Sequence, residues 1–213
     1  MKSETSASAP GRASYDVTTL ANAPRQRRSY DLSIRILNAA ERVLQRDGLE
    51  GFTIAAVASE AAVSVGGLYG RFENRDELVR AVHNEIMMRY ARDMRDLLAG
   101  EFTGLEDVLD RFVHAMIAWH ADNTNLLIGR GSEEAANECE RVVTRALIES
   151  AQRFNGEIRH PNPPWALRFV AHVLFASGVR NRLANPALEH RFIPWPALCS
   201  ELQVFAKRYL AAP

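Results

Sequence analysis

The chain has 213 residues, 47% hydrophobic and 24% charged, which suits a globular protein of one large domain or two small ones. Lys+Arg and Asp+Glu both total 26, so net charge singles out neither a nucleic acid nor a membrane as partner; the near-exclusive use of arginine over lysine fits a GC-rich genome. The cysteines, Cys139 and Cys199, and six scattered histidines lack metal-ligand spacing, no apolar run has the length of a membrane span, and no signal-peptide core follows Met1. These features predict a reduced, cytoplasmic protein with no metal, no cofactor and no membrane partner.

Residues 1–28 are rich in Ser, Ala, Thr and Pro without periodicity and read as a disordered arm ending in Arg25, Arg27 and Arg28. Helical spacing begins near residue 30, where Leu32, Ile36, Ala40, Val43 and Leu44 share one face as far as Gly48. Thr53 is placed to cap a short helix over 53–61, and Ser64 another over 64–72. Asn74, with Glu77 three residues on, opens a long helix over 75–98. Further helices are predicted at 104–121, 132–154, 164–184 and 195–210, with a short one near 124–130 and a long connector over 183–196. Strand-like alternation is nowhere sustained, so the fold class is all-α.

The stretch VSVGGLYGRF, residues 63–72, places three glycines in a region of helical spacing. Each costs a helix about 1 kcal/mol relative to alanine. A phosphate-binding glycine loop is disfavoured, because the G-x-G-x-x-G order and a preceding buried strand are both missing. At about 100° per residue, Leu68 and Phe72 form an inner stripe. Gly66 and Gly70 then lie opposite, with Gly67 and Tyr69 on the shoulders.

Two short helices joined by a tight turn and buttressed by a preceding helix make a helix-turn-helix. Residues 48–79 resemble the DNA-binding domain of the TetR family of bacterial transcriptional repressors. The resemblance rests on Gly48, Thr53, Val57-Ala58, Val63-Ser64, Tyr69-Gly70-Arg71-Phe72, and Arg75 before Glu77-Leu78. It implies a DNA-binding domain over 29–78 and a helical ligand-binding and dimerisation domain over 79–213. Thr53, Ser64, Tyr69 and Arg75 are then expected on phosphates, with Gly66 and Gly67 close to DNA. Direct readout falls to Val65, against a thymine methyl, and Arg71, while Arg27 and Arg28 of the arm add a clamp. Two positions depart from the family pattern: Ala62 stands where glycine is common, and Arg75 where lysine is common. A positive φ at Ala62 would cost about 1 kcal/mol, which suggests a slightly reshaped turn.

Beyond residue 80 there are helices but no motif. Leu167, Val170 and Leu174 on one helix, and Leu198, Leu202, Phe205 and Tyr209 on the last, form stripes assigned to a dimer interface. The resemblance implies a four-helix bundle between two copies, presenting two recognition helices to a palindromic operator. It also implies an unidentified small-molecule effector in the middle helices, for which Phe112, Met116, Trp119, His120, Trp165 and Phe169 are the candidate contacts. No nucleophile, base and orienter constellation is legible, so an enzyme is disfavoured. The glycine-faced helix leaves open a low-specificity DNA-binding or protein-interaction module on the same fold.

Overall fold

The computed structural model describes residues 17–123, 132–183 and 192–212, with side chains from Tyr30 onward except at 182 and 183. The described residues form eight α-helices and no strand: α1 (Val17–Gly51), α2 (Ile54–Glu60), α3 (Val65–Tyr69), α4 (Arg75–Leu98), α5 (Leu105–Asp122), α6 (Glu133–Gln152), α7 (Pro163–Leu183) and α8 (Trp195–Ala211). A single 3-10 turn, Asn155–Glu157, joins α6 to α7. The expected short helix near 124–130, and most of the connector over 183–196, lie outside the described residues.

Caps set these boundaries as the sequence suggests. Thr53 Oγ1 accepts from the Ala56 N–H at 3.1 Å, Ser64 Oγ from Gly67 at 3.0 Å, and Asn74 Oδ1 from Glu77 at 2.8 Å. Glu77 reaches back to the N–H of Glu73. At Gly48 the backbone turns left-handed (φ 64°) and breaks the helical run, as expected of a glycine there.

One boundary differs. α1 begins at Val17 rather than near residue 30, so 17–28 of the expected disordered arm has helical backbone.

Two cores share α4. In the first, Ile36, Ala40, Val43 and Leu44 of α1 pack with Phe52, Val57, Leu68, Phe72 and the N-terminal half of α4, Leu78 to Ile86. In the second, the C-terminal half of α4, from Tyr90, packs with α5, α6, α7 and α8. Met87 and Trp119 touch both cores. Burying each large apolar side chain stabilises by about 1.5–3 kcal/mol, and α4 carries that packing from one core to the other.

Candidate nucleic-acid interface

The turn from α2 to α3 keeps its left-handed residue despite the missing glycine. Ala62 has φ 51°, the only positive φ among described non-glycine residues. The turn is therefore not reshaped as expected. The Ala62 and Val63 N–H groups bond back to Ser59 and Ala58 at 3.1 and 2.9 Å, and buried Ala61 anchors the start of the bend. These contacts outweigh a cost of about 1–2 kcal/mol at Ala62.

α3 is short, ending where Gly70 caps it with an ordinary φ of −67°. Leu68 and Phe72 point into the core, as their spacing implies. Outward stand Val65 (43% exposed), Gly66, Gly67, Tyr69 (52% exposed) and Gly70. The fold does not demand Gly66 or Gly70. A β-carbon on Gly66 would meet nothing within 4 Å, and one on Gly70 would make only ordinary contact with carbonyls of its own turn, at 3.6 Å. On Gly67 it would stand 3.1 Å from Ser64 Oγ, the capping hydroxyl.

The expected DNA contacts are brought together unevenly. Thr53, Ser64, Val65 and Tyr69 are all exposed, and Thr53, Tyr69 and Arg75 border one open groove with Leu49, Glu50, Phe52 and Ile54. Arg75 is not a free phosphate fork. Its Nε donates to the Phe52 carbonyl at 2.7 Å and its Nη2 to the Leu49 carbonyl, while its guanidinium lies 5.7 Å from the Phe52 ring centre. These carbonyls follow the break at Gly48, where helix-terminal acceptors need donors. Arg71 is half-buried. Arg27 and Arg28 lie on the backbone of α1, and their side chains fall outside the described residues.

Ion pairs brace this unit from behind. Glu41 of α1 takes both Nη atoms of Arg89 on α4, at 2.6 and 3.0 Å. Glu60 of α2 takes Arg42 at 2.8 Å and Arg46 at 3.2 Å. Hydrogen bonds from Arg42 and then Arg46 hold the Glu60 carboxyl below its usual range.

In the second core the expected effector contacts separate into two groups. Phe112, Met116 and His120 are buried, and Trp119 is half-buried. Trp119 packs on Tyr90 with ring centres 4.2 Å apart and planes tilted by 32°, and His120 lies 5.3 Å from Trp119 and 6.3 Å from Trp195. Trp165 and Phe169 do not join them. They lie on the outer side of α7, 51% and 37% exposed, with rings 5.2 Å apart and nearly parallel. Sequence reasoning missed Tyr90 and Trp195. Tyr90 extends the Val82–Ile86 stripe by one helical turn and was detectable by that spacing; nothing local marks Trp195.

The stripes expected at a dimer interface also need correction. Leu167, Val170, Leu174, Leu198 and Leu202 are buried within their own chain, where α7 and α8 pack on α5 and on each other. Both helices carry apolar residues on two faces, and of the expected stripe residues only Phe205 and Tyr209 belong to the outer one. The outer one joins exposed Trp165, Phe169 and Val204 to half-buried Phe205 and Tyr209; Phe169 lies 5.2 Å from Tyr209 and 6.5 Å from Phe205.

Residues 36–82 match the family model described as bacterial regulatory proteins, tetR family. The HTH-type nicotine-responsive transcriptional repressor HdnoR of Paenarthrobacter nicotinovorans is 27% identical over 154 residues, 62% of this chain and 76% of that protein. A transcriptional regulator of Cytophaga hutchinsonii shares the fold with a TM-score of 0.65 at 18% identity, over 82% of this chain and 94% of that one. FadR of Bacillus subtilis, solved in complex with stearoyl-CoA, does so with a TM-score of 0.52 at 17% identity, over 84% of this chain and 98% of that one.

Proposed function

We propose that this chain, whose residues 36–82 match the model of the tetR family of bacterial regulatory proteins, is a dimeric transcriptional repressor of that family. In this reading it grips a palindromic operator in the cytoplasm and leaves it when a small molecule binds. The observation that carries the reading is the exposure of Thr53, Ser64, Val65 and Tyr69 around α3, on a helix-turn-helix braced by Glu41–Arg89 and Glu60–Arg42. Residues 29–78 serve as the DNA-binding domain and 79–213 as the effector and dimer domain, with α4 continuous between their cores.

The dimer face in this proposal is the outer aromatic surface of α7 and α8. A contiguous patch holding Trp165, Phe169, Val204, Phe205 and Tyr209 is the kind of surface proteins cover. A two-fold pairing there would set two α3 helices side by side for successive turns of a duplex.

Supporting an effector site are the rings of Tyr90, Trp119, His120 and Trp195, gathered where α4 meets α5 and α8. An effector entering there would press directly on α4. The relative that responds to nicotine favours a nitrogen-bearing effector with an aromatic ring, and nicotine itself is a first probe.

Footprinting the intergenic DNA beside the gene tests the reading. Two protected half-sites about one helical turn apart, lost in Tyr69→Ala, are expected; a uniform cleavage ladder contradicts it. The bare surface of α3 also favours a second reading, a module binding DNA with little sequence preference. Equal affinity for the protected and random duplexes would favour that one.

A further inference from the structure

Resting on the operator-binding reading, we propose that Val65 selects part of each half-site by packing against the C5-methyl group of a thymine in the major groove. Only Val65 and Tyr69 send side chains outward from α3. Leu68 faces the core, and the Ser64 oxygen accepts from the Gly67 N–H, which leaves its O–H to donate, a group suited to a phosphate oxygen. Tyr69 closes the helix and borders the groove with Thr53 and Arg75, toward the side where backbone contacts are expected. The first turn therefore offers base edges two valine methyls and bare glycine backbone.

Major-groove edges are patterns of hydrogen-bond donors and acceptors, with one apolar feature, the thymine methyl. Against an amide, amine or carbonyl edge, Val65 would bury a polar group without a partner. Against thymine it buries methyl on methyl. Gly66 provides the clearance: its β-carbon would fit within the chain, so its absence answers no internal clash and leaves the backbone beside Val65 open to close approach.

The test uses the full-length protein and a site enriched from a random duplex pool. Each thymine of the site is replaced in turn by deoxyuridine, which removes the methyl and keeps the pairing edge, and affinity is read by fluorescence anisotropy. Burial of one methyl corresponds to roughly fourfold in affinity. A loss of that size is expected at one thymine per half-site in the wild type and is expected to vanish in Val65→Ala. Because Val65 is exposed, the variant should unfold at the wild-type temperature. Gly66→Ala should raise the melting temperature yet weaken binding to the same site. Deoxyuridine sites bound as tightly as thymine sites would overturn the inference, and so would a loss that persists unchanged in Val65→Ala. A pool yielding no enriched sequence would overturn the regulator reading itself, and this inference with it.

Discussion

His120 lies directly against the backbone of Gly178. A β-carbon on Gly178 would stand 2.5 Å from the imidazole Cδ2 and 2.6 Å from Nε2. The imidazole is buried between Trp119 and Trp195, so it has little room to yield. Gly178 on α7, His120 and Trp119 on α5, and Tyr90 on α4 form a continuous line from the last helices to α4, the helix that enters both cores.

Gly178→Ala should therefore displace His120 and cost about 1–3 kcal/mol, the usual penalty for overpacking a core. Thermal unfolding measures the loss, and the fluorescence of Trp119 and its neighbours should shift with it. An unchanged melt would mean that the line is slack.

The left-handed Ala62 makes the opposite prediction. Ala62→Gly should stabilise the protein by roughly 0.5–1 kcal/mol, because relief of the strain exceeds the added freedom of the unfolded chain. Urea unfolding of the two forms is sufficient to read it.

Arg75 acts as a clasp on the end of α1 more than as a phosphate fork. Arg75→Ala should cost about 1.5–3 kcal/mol through the two carbonyls it leaves. Arg75→Lys should recover only part of that, since an ammonium cannot span both acceptors with the same geometry. A variant that binds DNA poorly but melts like the wild type would instead place Arg75 on phosphate.

The two apolar faces of α7 separate stability from association. Phe169→Glu should dissociate the proposed dimer in analytical ultracentrifugation with little effect on the folded monomer. Leu174→Ala should lower stability by about 2–5 kcal/mol. If Phe169→Glu leaves sedimentation unchanged, the outer face is not the interface.

The sequence read most clearly where local chemistry decides the outcome. The caps Thr53, Ser64 and Asn74, the break at Gly48 and the inward pair Leu68 and Phe72 all follow from rules acting within one or two turns. It read poorly where a third element intervenes. Whether Leu174 or Phe169 faces outward depends on which side of α7 meets α5 and α8, and an apolar residue on either side looks the same. Arg75's partners were hidden for a similar reason: Leu49 and Phe52 are distant in sequence, and a surface arginine before an acidic pair gives no sign of them. The arm differs in another way: composition argued for disorder, while the backbone is helical from Val17.

Competition between the enriched palindrome and random duplex of equal length tests sequence-specific regulation most directly. The full-length protein should prefer the palindrome by about 10³-fold or more at physiological salt, with both affinities falling linearly in log–log form as salt rises. A ratio near one, at any salt concentration where binding is measurable, would contradict a sequence-specific repressor.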